Sequence, residues 1–297
     1  NYEISEFIQV EEALHEKKIA EIAADIVTKQ DVKLILIAGP SSSGKTTFAK
    51  RLGVQLQACK AKPVVIGMDD YFLPRDKTPR KPNGEYDFES IYAMDLEYLN
   101  LQMNQLLEGE QIELPRYDFT RGVRRHSNNF VKLASNSIII MEGIHGLNET
   151  LTASIPASRK VKIYVSALNQ LNIDNHNRIS TTDCRLLRRI IRDHRYRGYS
   201  AEETLMRWQD VREGEDKNIF PYQENADYMF NSNLTYEIGV IRKHAWKLLL
   251  GVSPSSSAYM EAKRLSGLIA KCKDIADSLV PYNSIIREFT DGSIFRY

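Results

Sequence analysis

The chain has 297 residues, and its 40 Lys and Arg residues balance 39 Asp and Glu residues to a net charge of +1. This balance excludes a strong overall attraction to nucleic acids or anionic membranes, and a hydrophobic share of 42% with 27% charged residues excludes a disordered chain. The longest apolar runs, at 34–38 and 138–141, have the length of a strand, so no segment is long enough to span a bilayer.

The cysteine pattern and the N-terminus bear on the cell compartment. Cys59, Cys184 and Cys272 are too far apart for a Cys-x-x-Cys motif and outline no disulfide framework, and the N-terminus has no signal-peptide pattern. We therefore expect a protein of the reducing cytoplasm. Because the sequence starts at Asn1 rather than at Met, we also expect it to be cut from a longer chain.

Helices and buried strands alternate along the chain. A helix is predicted where apolar side chains recur three and four residues apart, and a buried strand where aliphatic residues follow one another without alternation. In chain order, the predicted elements are a helix at 14–28, a strand at 32–38, a helix at 47–58, a strand at 64–68, a helix at 95–107, strands at 137–141 and 161–165, helices at 185–197 and 201–212, a strand at 226–230 and a helix at 236–250. This alternation predicts an α/β fold in which helices cover both faces of a parallel sheet.

Other segments depart from this alternation. Residues 71–87 contain three prolines and an Asn-Gly pair, which predicts a long irregular loop of the kind that is often functional. Residues 111–133 indicate an irregular excursion with short strands. A Ser- and Pro-rich linker is predicted at 253–257, and helical spacing follows it at 265–279.

A phosphate-binding loop is predicted directly after the first strand. Residues 39–46 read Gly-Pro-Ser-Ser-Ser-Gly-Lys-Thr and fit GxxxxGK[ST], placed between a strand and a helix as this motif requires. The glycines let backbone N–H groups turn inward, and the helix N-terminus adds its dipole. Lys45 is expected to reach the β- and γ-phosphates of ATP, and Thr46 to ligate Mg²⁺. The predicted ATP-binding residues of this loop are Gly39, Ser41, Ser42, Ser43, Gly44, Lys45, Thr46 and Thr47.

Two carboxylates follow predicted strands. Asp69 comes directly after the strand at 64–68, and Glu142 after the strand at 137–141. In an open parallel sheet, ligands bind beyond the carboxyl ends of the strands. We predict that Glu142 holds Mg²⁺ directly or through water, and that Asp69 accepts a proton from a substrate hydroxyl.

Four arginines share one face of the helix predicted at 185–197. Their spacing of three and four residues places Arg185, Arg188, Arg189 and Arg192 together. A solvated helix face and an RNA-binding face are the alternatives, but four like charges beside a phosphate loop favour a lid that closes over a triphosphate. We predict that Arg188 and Arg189 are catalytic and that Arg192 binds ATP.

Together these motifs resemble the uridine kinase and phosphoribulokinase family of P-loop kinases. Besides 39–47, the matching segments are 68–72, 86–88, 114–119, 141–144, 185–193 with 197–198, and 226–227, in the order that the family has. The sequence is most similar to bacterial nucleoside kinases that follow a threonyl-tRNA-synthetase-like N-terminal region. The resemblance implies the P-loop NTPase fold, with a five-stranded parallel sheet and a mobile arginine-rich lid helix. It also implies phosphoryl transfer from ATP, with Mg²⁺, to a nucleoside 5′-hydroxyl, most closely uridine or cytidine in pyrimidine salvage.

The resemblance also assigns roles to residues. It implies that Asp69 is the catalytic acid or base, Glu142 the metal-associated carboxylate, Asp87 the ribose-binding residue and Tyr117 an aromatic that lines the base pocket. The further substrate-binding positions that it implies are Arg124, Arg185 and Arg197. One position departs from the family pattern, because Gly122 stands where a pyrimidine-reading histidine is usual. Kinase chemistry is unaffected by this departure, but the choice of base stays open.

Three regions and two alternative functions complete the expectations. We expect an N-terminal linker helix at 1–30, a P-loop kinase domain at 31–250 and a C-terminal helical extension at 251–297 with a packing or homo-oligomer role. One alternative is a kinase of another small alcohol, such as a sugar phosphate or pantothenate. The other is a nucleotide-binding regulator with a vestigial kinase site, whose basic helix would bind RNA. Because stacking aromatics are few on that helix, nucleic acid is not expected as a partner. A membrane is not expected either, because no apolar run is long enough to span one.

Overall fold

A computed structural model of the protein describes residues 2–119, 121–172 and 178–296. Its strands are β1 (Leu34–Ala38), β2 (Lys62–Gly67), β3 (Gln111–Asp118), β4 (Val123–Lys132), β5 (Ser137–Glu142), β6 (Lys160–Ser166) and β7 (Tyr228–Asn231). Within the described residues, five strands form one parallel sheet in the order β2-β5-β1-β6-β7, and β3 pairs with β4 in an antiparallel hairpin. The predicted five-stranded parallel sheet is confirmed.

Helices cover both faces of this sheet, as predicted. The helices are α1 (Tyr2–Thr28), α2 (Lys45–Ala58), α3 (Leu96–Leu107), α4 (Thr181–Arg192), α5 (Ala201–Met206), α6 (Trp208–Asn218), α7 (Glu237–Leu250) and α8 (Tyr259–Ala270). Helices α1 and α2 pack on one face, α3 and the hairpin pack on the other, and α4, α5, α7 and α8 share a further apolar cluster. None of the helices that the structure describes is both long and apolar enough to cross a membrane.

Helix α1 is longer than its sequence pattern indicates, because it begins at Tyr2 rather than at residue 14. Two apolar side chains of its second half, Ile19 and Ile26, are fully buried in one cluster with Leu52 of α2 and Ile35 of β1. The helix expected as a linker therefore packs onto the sheet. The boundaries of the predicted domains and an oligomeric role of the C-terminal extension stay predictions.

Two other elements end earlier than their periodicity suggests. Helix α4 ends at Arg192, and the chain continues in a π-helical turn, Asp193–Arg197. Helix α8 ends at Ala270, although helical spacing continues to residue 279. Beyond it the chain is bound to α7, because the Ile275 N–H donates to the Gly239 carbonyl at 2.9 Å. The periodicity of apolar residues indicates that the side chains beyond these helix ends are buried, but it does not indicate which secondary structure they belong to.

Candidate active site

The loop after β1 has a conformation suited to anion binding. Ser42 has φ 58° and Gly44 has φ 84°, so the backbone turns through left-handed positions before α2 begins at Lys45. Gly39 must lack a side chain, because a Cβ there would lie 2.0 Å from the Val165 carbonyl oxygen. Such alternation of backbone conformation turns successive N–H groups toward one concave surface, to which α2 adds its N-terminus.

Lys45 is folded back onto this loop. Its Nζ donates to the carbonyl oxygens of Gly39 at 2.9 Å and Pro40 at 3.1 Å. Burial lowers the pKa of Lys45, and the charge of Glu142 partly opposes that shift. The ammonium group thus lies at the loop, bonded to two backbone carbonyls, and lines the cleft that an anion would enter.

The carboxylates predicted from strand ends come together because β2 and β5 are neighbours in the sheet. Gly67 of β2 pairs with Glu142 of β5, and a short 3-10 turn, Met68–Tyr71, follows β2. Asp69, Glu142 and Thr46 line the same cleft, and the Thr46 hydroxyl donates to Glu142 Oε1 at 3.0 Å. Two carboxylates, a hydroxyl and the phosphate loop therefore share one site.

Asp69 and Asp70 differ in environment although they are adjacent. Asp69 is accessible from the cleft and enclosed by protein on its other sides. This enclosure and the charge of Glu142 raise the pKa of Asp69 to about 6. Asp70 instead accepts a hydrogen bond from the Tyr117 N–H at 3.0 Å and so holds the β3–β4 hairpin. Of the two, Asp69 is the group placed for proton transfer at neutral pH.

The oxygen atoms of Thr46 and Glu142 suit Mg²⁺. This ion prefers oxygen ligands and commonly uses one or two protein groups together with substrate phosphates and water. Among the described residues, no three His, Cys, Asp or Glu side chains form a metal-binding group. A hydroxyl and a single carboxylate beside a phosphate loop match the Mg²⁺ requirement instead.

Part of the arginine face of α4 borders the cleft, which has a volume of about 310 Å³. Arg189, Arg192 and Arg197 line it, and Arg189 Nη1 donates to the Ser41 hydroxyl at 2.7 Å. Burial and the neighbouring Arg197 lower the pKa of Arg192 to about 10. All three guanidinium groups pair with Asp193 at 3.1 to 3.3 Å, so the π-helical turn keeps them together.

Arg185 and Arg188 require a correction, because they do not line the cleft. Arg188 is fully buried and forms two hydrogen bonds with Glu237, at 2.5 and 2.6 Å, while its Nη1 donates to the Ser42 carbonyl at 3.2 Å. Arg185 pairs with Glu215 at 2.6 and 2.7 Å. Packing from α6 and α7 covers both side chains. They support the phosphate loop on the side away from the cleft and do not contact a ligand as predicted.

Arg188→Met is expected to lower the free energy of unfolding by about 3–5 kcal/mol, because the fully buried Glu237 carboxylate loses its partner. Urea denaturation measures the effect. Arg116→Met, on the exposed side of β3, is the matched control and should stay within about 0.5 kcal/mol. A loss below about 1 kcal/mol for Arg188→Met would contradict its structural role.

Of the five residues assigned to substrate binding, Tyr117, Arg124 and Asp87 lie near the cleft without lining it. Tyr117 packs against Phe72, which does line the cleft, with ring centroids 5.7 Å apart. Arg124 pairs with Asp95 at 2.9 Å. The Asp87 carboxylate lies 3.5 Å from the Lys217 ammonium, and its charge acts to raise the pKa of His145, which lines the cleft. Direct substrate contact by these three stays a prediction.

The departure at Gly122 has a structural reason. Gly122 closes the turn between β3 and β4 with φ 68°, and its carbonyl accepts from the Arg75 N–H at 2.9 Å. A Cβ there would lie 2.8 Å from Arg75 Cβ, so a histidine would strain the backbone and displace Arg75. His126 is no substitute, because it is exposed on β4 and bonded to Glu113 at 2.9 Å.

His145 is a cleft residue that sequence reasoning missed. It lies three residues beyond Glu142, is 2% exposed and lines the cleft together with Glu89. Burial lowers the pKa of His145 to about 4, although Asp87 and the Ser90 backbone act in the opposite direction. Neither ring nitrogen reaches hydrogen-bond geometry with a described residue. A neutral imidazole there offers one donor and one acceptor. The only sequence signal was its position just after a strand-ending carboxylate.

Glu215 was also missed. It is 3% exposed, and besides pairing with Arg185 it accepts a hydrogen bond from the Ser41 N–H at 2.7 Å. Helix α6 thus holds the first half of the phosphate loop. Ser41 and Glu215 are 174 positions apart in the sequence, and no local sequence pattern around Glu215 indicates their contact.

Known proteins similar to this chain include kinases of one family. The sequence profile of the phosphoribulokinase / uridine kinase family matches residues 34–238. The uridine kinase of Lactobacillus helveticus (strain DPC 4571) is 31% identical over 172 residues, which cover 58% of this chain and 72% of that one. The uridine kinase of Ureaplasma parvum serovar 3 (strain ATCC 27815) is 25% identical over 214 residues, or 72% and 94% of the two chains. A solved structure of a possible uridine kinase from Bacillus stearothermophilus has a TM-score of 0.44 and 21% identity, covering 67% of this chain and 89% of that one.

Proposed function

The chain belongs to the phosphoribulokinase / uridine kinase family and is an ATP-dependent kinase, and we propose that its acceptor is the 5′-hydroxyl of a nucleoside, with uridine and cytidine as the first candidates. The observation that carries the proposal is the meeting of Lys45, Thr46, Asp69 and Glu142 in one cleft. A phosphate loop and a basic carboxylate on the same cleft are what phosphoryl transfer to a hydroxyl needs.

In the proposed mechanism the protein positions the reactants and stabilises charge. Lys45 leaves the loop carbonyls to contact the β- and γ-phosphates, and Arg189 and Arg192 face the same anion from α4. Asp69 orients the attacking hydroxyl and accepts its proton late in the transfer. Thr46 and Glu142 would hold Mg²⁺, which when bound neutralises charge on the phosphate oxygens.

The acceptor side of the cleft combines flat apolar and polar groups. The rings of Phe72 and Phe88 line it, and a planar base can stack on such rings. We place His145 as a hydrogen-bonding group for the acceptor, because its neutral ring lines the cleft and neither ring nitrogen has a hydrogen-bond partner among the described residues. Since Gly122 stands where the histidine is usual, recognition of the base would use other residues than in typical pyrimidine kinases.

A coupled assay of ADP release against a panel of acceptors tests the proposal. The panel contains uridine, cytidine, purine nucleosides, a pentose phosphate and pantothenate. Nucleosides should give the highest kcat/KM. Faster turnover of the sugar phosphate or of pantothenate would show that the acceptor is not a nucleoside. The panel includes both compounds because Gly122 departs from the family pattern. ATP binding without turnover of any acceptor would favour a regulator with a vestigial site.

His145→Ala should raise KM for the acceptor about three- to tenfold, the value of one hydrogen bond between neutral groups, and leave KM for ATP unchanged. Steady-state kinetics with each substrate varied in turn measures both constants. His126→Ala is the matched control, because this histidine is exposed on β4. If the two variants behave alike, His145 makes no contact with the acceptor.

A further inference from the structure

A buried stretch of the C-terminal extension packs against the start of α2. In this C-terminal plug, residues 284–290, Ile285 and Phe289 are fully buried, and a Cβ on Gly44 would lie 2.7 Å from Ile285 Cγ2. The guanidinium group of Arg188 lies 5.0 Å from the centre of the Phe289 ring. The plug therefore lies directly against the phosphate loop.

Glu288 occupies hydrogen-bond donors at the N-terminus of α2. Its side chain is largely buried, and its Oε2 accepts from the Thr47 N–H at 3.2 Å and from the Thr47 hydroxyl at 2.6 Å. Thr47 is the third residue of α2, and the N–H groups of the first turn of a helix bond to acceptors outside that helix. In a phosphate-binding loop, N–H groups of this first turn are donors for phosphate oxygens.

Glu288 lies near the same positively charged groups that a bound phosphate would use. Its charge opposes the lowering of the pKa that burial causes at Lys45, Lys50 and Arg192. Lys45 and Arg192 also line the cleft. The carboxylate thus shares a helix N-terminus and two cations with any phosphate that binds there.

We propose that Glu288 is an internal competitor of ATP: its carboxylate occupies a hydrogen-bond donor of the phosphate site, the Thr47 N–H, and the C-terminal plug must be displaced when ATP binds. The inference rests on the proposed function for the identity of the donor. Glu288 then sets donor affinity, because every binding event must first break its two hydrogen bonds to Thr47. A segment far from the loop in sequence thereby controls access to it.

Glu288→Gln keeps the shape of the side chain and removes its charge. Isothermal titration calorimetry with ATP, and separately with inorganic tripolyphosphate, should show Kd lowered about fivefold, because the charge-assisted hydrogen bond to Thr47 is replaced by a weaker neutral one. Glu261→Gln is the matched control, since Glu261 lies on the exposed side of α8 in the same extension. Its Kd values should equal those of the wild type.

Hydrogen exchange on the wild-type protein gives a second readout that needs no variant. Saturating ATP should increase exchange across residues 285–290. A folded Glu288→Gln protein with unchanged or weaker affinity would overturn the proposal, as would unchanged exchange in this segment or failure of both phosphates to bind. If the variant does not fold, the exchange result decides alone. If Glu288→Gln binds tripolyphosphate more tightly but no acceptor is turned over, the kinase activity is refuted and the competition by Glu288 stands. If an acceptor is turned over but Glu288→Gln has the affinity of the wild type, the competition is refuted and the kinase activity stands.

Discussion

Asp69→Asn is expected to lower kcat by about 10²- to 10⁴-fold, the range of general-base catalysis. Asn has nearly the same shape as Asp but cannot accept the proton of the attacking hydroxyl. KM for ATP should change little, because the phosphate loop and Lys45 are untouched. Single-turnover kinetics with ATP and the best acceptor of the panel measures the chemical step directly.

Asp70→Asn is the built-in control for this experiment. Its carboxylate accepts from the Tyr117 N–H and supports the hairpin, and an amide oxygen can make the same contact. Its effect on kcat should therefore be small. An inactive Asp70→Asn with an active Asp69→Asn would show that the two side chains have exchanged roles, and normal activity of both would remove the proposed base.

The pH profile offers an independent view of Asp69. Enclosure and the charge of Glu142 raise its pKa to about 6, so the carboxylate is mostly ionised at pH 7 and becomes protonated as the pH falls through 6. Only the ionised form can accept a proton. We expect kcat/KM for the acceptor to fall below about pH 6 in the wild type, and this acid limb to be missing in Asp69→Asn.

Lys45→Ala is expected to reduce kcat/KM for ATP by about 10³-fold or more, because it removes the cation placed for the β- and γ-phosphates. Calorimetry should show weaker ATP binding as well, since this interaction exists in both the ground state and the transition state. Nucleotide affinity and turnover like those of the wild type would mean that the loop binds no triphosphate.

Thr46→Val is the companion variant, and it tests the proposed Mg²⁺ ligand separately from the backbone of the phosphate loop. It removes the hydroxyl that contacts Glu142 and leaves the backbone of the loop unchanged. The expected result is a higher Mg²⁺ concentration for half-maximal activity, with activity recovering at saturating Mg²⁺. A requirement equal to that of the wild type would contradict the assignment of this hydroxyl as a ligand.

The sheet and the centre of the cleft could be predicted because both follow from local patterns. Aliphatic runs mark the strands, and residues that directly follow neighbouring parallel strands must meet at one edge, which is why Asp69 and Glu142 lie together. The loop motif specifies its own backbone conformation through Gly44. Each element is indicated by its own residues alone, and the non-local step is the pairing of β2 with β5.

The role of each arginine on α4 could not be predicted in this way. Helical spacing shows that Arg188 and Arg189 share a face, but the buried partner of Arg188 is Glu237, which lies on α7. Charge alone suggested a ligand, and tertiary packing supplied an internal carboxylate instead. The contact between Thr47 and Glu288, 241 residues apart, is of the same kind. Long-range polar contacts leave no periodic pattern in the sequence.

Mass spectrometry of the acceptor after incubation with ATP and Mg²⁺ tests the central claim most directly, because it identifies the product rather than the loss of ATP. The account predicts that the wild-type protein converts a nucleoside to its 5′-monophosphate and that Asp69→Asn, at equal concentration and time, forms at least about a hundredfold less. Equal product from both proteins, or bound ATP with every acceptor unmodified, would contradict it.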